Sequence, residues 1–178
     1  MSVLEPPRRL SRTDERGDFD SGAPELDDWL RRFALQNQRA GNAITYATVL
    51  DGRVVGYYAI CAAGIGRDQA PPEFGHHRPA GIPCVLLARL AVDRRAQGRG
   101  IGRALVKDAI LRSCRVAQSV GAVFLVIHCR DEEAKRFYSG LAEFRESPLD
   151  DLQLLLPLAP VVRLLSGLDE TRPGRRAE

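Results

Sequence analysis

Residues 94–105 read RRAQGRGIGRAL, in which three glycines stand at alternate positions among arginines, directly before a helical pattern. Glycine allows the backbone to approach a ligand closely, and the first N–H groups of a helix lack partners within the helix. Such a helix start favours an anionic group, most often a phosphate. The stretch therefore predicts a phosphate site, and its spacing narrows the choice of ligand.

Two common glycine loops do not fit this spacing. A Walker loop needs a lysine and then a hydroxyl residue after its last glycine, and neither is present here. A dinucleotide-binding loop begins directly after a strand and needs an acidic residue about 20 positions on. Here five residues separate the apolar run VLLARLAV (85–92) from Gly98, and the next strand ends at His128 and a cysteine. Both ligand classes are therefore disfavoured.

The chain around this loop alternates strands and helices. Asp51-Gly52 between two apolar runs predicts a tight hairpin. The runs 85–92 and AVFLVIHC (122–129) predict buried strands, and the helix between them implies that they are parallel. Asp131 is expected to cap a short helix, and LQLLLPL (152–158) predicts a last strand.

Two helices show an apolar face. PELDDWLRRFALQNQ (24–38) has an amphipathic spacing of three and four residues. The helix after the glycines has a similar face and is expected to stop at Gly121. The inner residues are expected to be Leu26, Trp29, Leu30, Phe33 and Asn37 in the first helix, and Leu105, Ala109, Ile110, Ala117 and Val120 in the second.

The length of 178 residues predicts one domain. Its polar, arginine-rich ends, about 1–17 and 167–178, are expected to be flexible tails. Residues 64–84, GIGRDQAPPEFGHHRPAGIPC, are expected to form one long loop.

The composition favours a cytoplasmic protein. No apolar run approaches the roughly 20 residues that a membrane span needs, and the first ten residues lack the apolar stretch of a signal peptide. The cysteines show no CxxC pair, which predicts reduced thiols rather than disulfides. The histidines do not flank a pair of thiols, so no metal is expected. The cysteines are Cys61, Cys84, Cys114 and Cys129.

Arginine dominates the basic residues. All but two of the 26 are arginine, and the formal net charge is +3. The planar guanidinium suits phosphate recognition, which favours an RNA or cofactor surface. A coding bias towards arginine explains the same count, so composition leaves both open.

The glycine loop fits a third pattern. QGRGIG (97–102) resembles the pyrophosphate loop Q/R-x-x-G-x-G/A of the GNAT acetyltransferases, with Leu105 at an apolar position of that family. LARLAVD (87–93) resembles the fourth strand of the family, and EEAKRFY (132–138) resembles its A-x-x-F-Y element. The chain is identified as a GNAT member over about residues 25–158. The resemblance implies an α/β (α+β) fold, a mixed central sheet with a splayed parallel pair around an acetyl-CoA site and about four flanking helices.

A narrower resemblance covers both ends of this region. GDFDSGAPELDDWLRRFALQNQRAG (17–41) and ESPLDDLQLLLPL (146–158) are similar to the GNAT toxins of bacterial toxin–antitoxin modules. Those enzymes acetylate the amino acid on charged tRNA and are held inactive by a ribbon-helix-helix antitoxin. The resemblance implies aminoacyl-tRNA as substrate, that antitoxin as partner and a homodimer. An acetyltransferase of small amines or protein N-termini is the alternative, as is a silent domain that binds CoA or a partner.

The resemblance also implies roles for individual residues. Tyr138 would donate a proton to the departing thiolate, and a backbone N–H of the fourth strand would polarise the thioester carbonyl. The implied cofactor-binding residues are Leu90, Ala91, Val92, Gln97, Gly98, Arg99, Gly100, Ile101, Gly102, Arg103, Ala134 and Phe137. The candidate RNA-binding residues are Arg31, Arg32, Arg39, Arg94 and Arg95, although WLRRF (29–33) would equally suit a partner subunit or the antitoxin.

No general base is evident in the sequence. The fourth strand offers Arg89, whereas a lysine amine with a pKa of about 10.4 would need a base to lose its proton. An α-amine with a pKa near 8 is already partly neutral at physiological pH, which favours it as acceptor. Glu73, His76 or His77 would weaken this argument if the long loop reached the site.

Overall fold

The computed structural model describes residues 3–170, in which seven strands form one sheet with helices on both faces. The spatial order is β1-β2-β3-β4-β5-β7-β6, and the neighbours are antiparallel except for the parallel pair of β4 and β5. The mixed sheet with one parallel pair is therefore confirmed. The strands are β1 Arg8–Arg9, β2 Ile44–Leu50, β3 Arg53–Gly66, β4 Gly81–Val92, β5 Phe124–His128, β6 Arg145–Ser147 and β7 Asp150–Pro157.

The helices divide between the two faces of the sheet. The longest, α4, packs on one face with α5 and α6, and the α1–α2 segment packs on the other. The last helix was not predicted; Pro160 lies in its first turn, where proline is tolerated. The helices are α1 Pro24–Asp28, α2 Ala34–Ala40, α3 Pro72–Gly75, α4 Ile101–Ser119, α5 Glu132–Ser139 and α6 Leu158–Glu170. None of these is long and apolar enough to cross a membrane.

A π-helical turn, Trp29–Phe33, joins α1 to α2 and changes which residues face the core. The wider turn buries Leu30 and Ala34 completely. Phe33, which the regular spacing places on the inner face, is instead 40% exposed. The inserted turn shifts the apolar stripe by about one residue, which a regular 3.6-residue period cannot anticipate.

The hairpin at Asp51-Gly52 is confirmed. Both residues have positive φ (50° and 79°), as a two-residue turn between right-twisted strands requires. The predicted loop 64–84 is wrong at both ends, because Ile65 and Ile82 pair across β3 and β4 and both side chains are buried. The loop proper is 67–80, a 3-10 turn followed by α3.

Residues 3–17 do not form the expected loose tail. They lie along the edge of the sheet, where β1 pairs with β2 and Leu10 is buried. The Arg8 guanidinium donates to both carboxylate oxygens of Asp14 at 2.9 Å, which folds the segment back on itself. At the other end α6 continues to Glu170, and the predicted tail beyond it lies outside the described residues.

The predicted α4 face is correct up to its last residue. Leu105 and Ala109 are fully buried against the sheet. Val120 is 84% exposed, because the helix ends at Ser119 and Gly121 (φ 97°) redirects the chain. The stop at Gly121 agrees with the prediction.

Candidate active site

A cleft opens where the two parallel strands separate. Their ladder ends at the pair Leu87–Ile127, and β4 then runs on to Val92 without β5 beside it. Ala88 forms a β-bulge, because its neighbours Leu87 and Arg89 pair with the adjacent residues Ile60 and Ala59 of β3. The bulge bends β4 at this point. The resulting cavity has a volume of about 780 Å³.

The cleft brings several predicted site residues together. One wall is the free end of β4, and the opposite wall combines the end of β5 with the inner face of α5. Spacing alone could not show this convergence, because the walls lie about forty residues apart in the chain. The predicted residues that line it are Leu90, Ala91, Val92, Gln97, Ala134, Phe137 and Tyr138.

The glycine loop leads from this cleft into α4. Gly98 and Gly100 have φ of 75° and 79°, and a Cβ atom on either would meet nothing within 4 Å. No side chain among the described residues caps the start of α4, so the first amides of this helix have no side-chain acceptor. Open backbone, left-handed glycines and an uncapped helix start fit a pyrophosphate.

Other residues of the loop have structural contacts. The Gln97 side-chain amide donates to the carbonyl oxygens of Val92 (3.0 Å) and Ser21 (3.2 Å), which ties the loop to β4. A Cβ on Gly102 would lie 3.4 Å from Cζ of Phe137, so glycine here lets α4 and α5 approach closely. Gln97 and Arg99 of the loop are exposed, and so is Arg103 one turn further on.

Tyr138 lines the cleft wall with a phenol side chain. Its ring packs edge-on against Phe137 (centroids 5.1 Å apart) and Phe144 (6.4 Å), and the residue is 9% exposed. Burial raises the pKa of the phenol above its ordinary value, and the neighbouring Cys129 thiol raises it further. Within residues 3–170 its hydroxyl has no hydrogen-bond partner. Tyr138 therefore presents a protonated O–H group to the cleft at neutral pH.

Proton acceptors in the cleft were missed by the sequence analysis. Glu25, His128 and Glu133 line the walls, so the scarcity of bases inferred from the sequence does not hold. The signal available was topological, because ligands bind at the carboxyl ends of parallel strands and His128 ends β5. Asp131 also lines the cleft and caps α5 as predicted, accepting from the Ala134 N–H at 2.8 Å.

The loop 67–80 lies away from this site. It precedes the first residue of β4, about 25 Å along the strand from the cleft at about 3.3 Å per residue. Phe74 packs on Phe124 at the start of β5, with ring centroids 5.2 Å apart. Glu73, His76 and His77 therefore belong to the far end of the sheet and do not reach the cleft.

The candidate RNA-binding arginines are exposed, and most have protein partners. Arg94 lies 3.7 Å from Asp20, and Arg95 contacts Asp93 (2.8 Å) and Asp18 (3.1 Å). In the α1–α2 segment, Arg31 donates to the Phe19 carbonyl oxygen at 2.9 Å, and Arg32 pairs with Asp28 at 3.4 Å. Arg39 is exposed near the end of α2.

Asp93 anchors the turn between β4 and the glycine loop. The residue is 1% exposed, and its carboxylate accepts from the backbone N–H groups of Arg95 (2.9 Å) and Asp20 (3.2 Å). The Arg95 guanidinium, followed by these amides, lowers the pKa of Asp93 to about 2. The carboxylate thus fixes both the loop and the segment before α1.

Asp93→Asn is expected to lower the free energy of unfolding by about 2–3 kcal/mol, because buried donors lose a charged acceptor. A carboxyl group whose pKa is lowered on folding stabilises the folded state at pH values above its unfolded pKa, which is about 3.9 for aspartate. This contribution is lost as the pH falls through the folded pKa of about 2. Urea denaturation should therefore show a difference at pH 7 that shrinks between pH 4 and pH 2. Asp51→Asn, at an exposed turn, is the control and should change stability by less than about 0.5 kcal/mol. Equal losses for both variants would contradict the anchoring role.

A splayed parallel pair, an uncapped glycine loop beside it and a buried phenol in the gap together define an acetyltransferase that takes its acyl group from a CoA thioester. The chain belongs to the acetyltransferase (GNAT) family, whose model matches residues 8–142. It is 42% identical over 156 residues to a tRNA-acetylating toxin of Mycobacterium tuberculosis, covering 88% of this chain and 93% of that protein.

Solved structures of similar fold include toxins with their ligands. The structure of AtaT complexed with acetyl-methionyl-tRNAfMet superposes with a TM-score of 0.83 at 25% identity, covering 93% of this chain and 99% of AtaT. A mutant AtaT toxin bound to the C-terminus of the antitoxin AtaR and acetyl-CoA gives a TM-score of 0.75 at 26% identity, covering 93% and 98%. The chain is therefore an N-acetyltransferase with the fold of these toxins.

Proposed function

We propose that this N-acetyltransferase transfers the acetyl group of acetyl-CoA to the α-amine of the amino acid on charged tRNA, and so blocks translation as a toxin. The observation that carries the proposal is the cleft between β4 and β5, which joins the glycine loop to Tyr138 and opens towards α1. The 42% identical relative, a tRNA-acetylating toxin, supports the choice of acceptor.

Acetyl-CoA supplies the acetyl group as a reactive thioester. The amides from Gly98 to Arg103 bind its pyrophosphate, and Arg99 and Arg103 add positive charge beside the phosphates. Ala134 and Phe137 line the path towards the cleft. A backbone N–H on the edge of β4 that faces the cleft donates to the carbonyl oxygen; among Leu90, Ala91 and Val92, Leu90 and Val92 lie on that edge, because Asp93 and therefore Ala91 bond to β3.

Tyr138 donates its phenolic proton to the sulfur when the thiolate leaves. Its raised pKa keeps the hydroxyl protonated at physiological pH. In the part of the chain that the structure describes, no acceptor holds the O–H, so the packing of the ring against Phe137 sets its position. The acceptor amine must arrive neutral, and His128 or Glu133, which line the cleft wall, takes its proton.

The partners follow from the same proposal. The arginines of the α1–α2 segment and of the 94–95 turn contact RNA phosphates, for which their exposure is suited. A ribbon-helix-helix antitoxin neutralises the enzyme, the enzyme is a homodimer, and it acts in the cytoplasm without a metal. The AtaT toxin bound to the C-terminus of AtaR supports the antitoxin. Co-expression with the gene next to this one, followed by purification and mass measurement, tests the complex and the dimer.

Transfer of labelled acetyl groups to a charged tRNA pool is the test of the activity. We expect label in the aminoacyl moiety, released with it by mild alkali, and none on deacylated tRNA. Polyamines and a peptide with a free N-terminus serve as competing acceptors. Efficient acetylation of either, with no label on any aminoacyl-tRNA, would replace the proposal by one of the alternative acceptors.

A further inference from the structure

An ion pair crosses the opening of the cleft. Nη1 of Arg130, in the turn after β5, lies 3.3 Å from Oε1 of Glu25 on α1, and 105 residues separate the two in the chain. Both residues line the cleft, and both side chains are more than 60% exposed. The pair therefore links the two walls at the solvent side, where it is not held by burial.

Glu25 places the pair on the α1 side of the cleft. α4, which starts at that loop, packs with α5 on one face of the sheet, whereas α1 packs with α2 on the opposite face. If the thioester reaches Tyr138 from the α4 side, the acceptor must approach from the α1 side. The bridge between Glu25 and Arg130 consequently spans the opening through which the acceptor must enter.

Among the described residues that line the cleft, Arg130 is the arginine whose guanidinium is held by exposed carboxylates, those of Glu25 and Asp131. The other arginine of the cleft, Arg89, stacks its guanidinium over the Trp29 ring at 5.4 Å and donates to the Ala88 carbonyl oxygen. The remaining charged neighbours at the rim carry carboxylates, including Asp131 at 3.4 Å from Nε of Arg130. Without Arg130 this rim would repel the phosphodiester backbone of an RNA end.

We propose that Arg130 binds a phosphodiester of the acceptor RNA next to the reacting amine, and that Glu25 occupies its guanidinium until that phosphate replaces it. The inference rests on the proposed function. An exposed ion pair contributes little stability, so a phosphate can displace the carboxylate readily. A guanidinium also binds phosphate in two-pronged geometry, which would fix the RNA end relative to Tyr138.

Steady-state kinetics with charged tRNA and acetyl-CoA distinguish phosphate binding by Arg130 from a role in acetyl-CoA binding or in proton transfer. Glu25→Gln should lower KM for aminoacyl-tRNA about threefold to fivefold, since Arg130 no longer has a competing carboxylate, with KM for acetyl-CoA unchanged. Arg130→Gln should raise KM for aminoacyl-tRNA about tenfold, and Arg130→Lys should recover part of the loss. In a plot of log KM for aminoacyl-tRNA against log salt concentration, the slope should be smaller by about 0.7 to 0.9 in Arg130→Gln, which is the contribution of one phosphate contact.

The matched control is the pair of Glu73 and Arg145, 3.1 Å apart, with similar exposure at the far end of the sheet. Glu73→Gln removes the same charge and also releases an arginine, so it should leave both KM values within about twofold. An equal fall in KM for Glu25→Gln and Glu73→Gln would mean general electrostatics and overturn the proposal. So would a fall in kcat alone for Glu25→Gln, which would make Glu25 a proton acceptor, or a raised KM for acetyl-CoA alone in Arg130→Gln. A wild-type enzyme that leaves charged tRNA unmodified would instead refute the proposed function, and this inference with it.

Discussion

Tyr138→Phe is expected to lower kcat by about 10²–10³-fold, the range of a lost general acid, while the affinity for CoA stays within about twofold. The substitution removes one oxygen and keeps the ring, whose edge-on contacts with Phe137 and Phe144 hold it in the cleft wall. The hydroxyl has no protein partner in the described residues, so no buried group is left unsatisfied and the fold should be unaffected. Single-turnover acetyl transfer and calorimetric titration of CoA measure the two quantities.

Tyr58→Phe is the matched control for that experiment. Tyr58 is fully buried, and its hydroxyl donates to the Asp108 carboxylate on α4, away from the cleft. Loss of this hydrogen bond should cost about 1–2 kcal/mol of stability and leave kcat within about twofold. If Tyr138→Phe keeps more than a tenth of the wild-type kcat, another proton source serves the thiolate and Tyr138 only packs.

The sequence predicted those parts of the site that depend on local spacing. Gly98 and Gly100 were recognisable because their positions before an apolar helix specify the loop, and the parallel strands followed from the crossover between them. The cap at Asp131 is equally local, since its partner is the N–H three residues on.

Features that depend on distant contacts could not be predicted. Glu25 and Arg130 meet only because α1, which packs against β4, brings Glu25 within reach of the turn after β5, and no periodicity links them. The two-residue strand β1 is too short to show an alternating pattern, so its pairing with β2 could not be read from the sequence. The glycines and the proline that suggested a loop at 64–84 are tolerated in long antiparallel strands, because the isoleucines between them pair in the core.

Gly100→Asp is expected to weaken CoA binding by about 100-fold or more while the protein remains folded. The φ of 79° at this position is one that aspartate and asparagine tolerate better than other side chains. A carboxylate near the start of α4 also interacts favourably with the helix dipole, which offsets part of the strain of a side chain at positive φ, so the melting temperature should fall by no more than about 4 °C. Toward a bound pyrophosphate the same carboxylate is repulsive, by about 3–4 kcal/mol for unit charges about 4–5 Å apart at an effective dielectric constant of about 20.

Gly100→Asn separates charge from shape in this experiment. Asparagine has nearly the same volume and the same tolerance of positive φ, but it is neutral, so we expect its Kd for CoA to rise less than about tenfold. The space around Gly100 is open, because a Cβ atom there would meet nothing within 4 Å, so neither side chain is forced against a protein group. Titration of CoA into both variants and into the wild type gives the comparison. Equal affinities of the two variants for CoA would show that the pyrophosphate does not lie at the start of α4. The glycines would then be needed only for the backbone conformation of the turn into this helix.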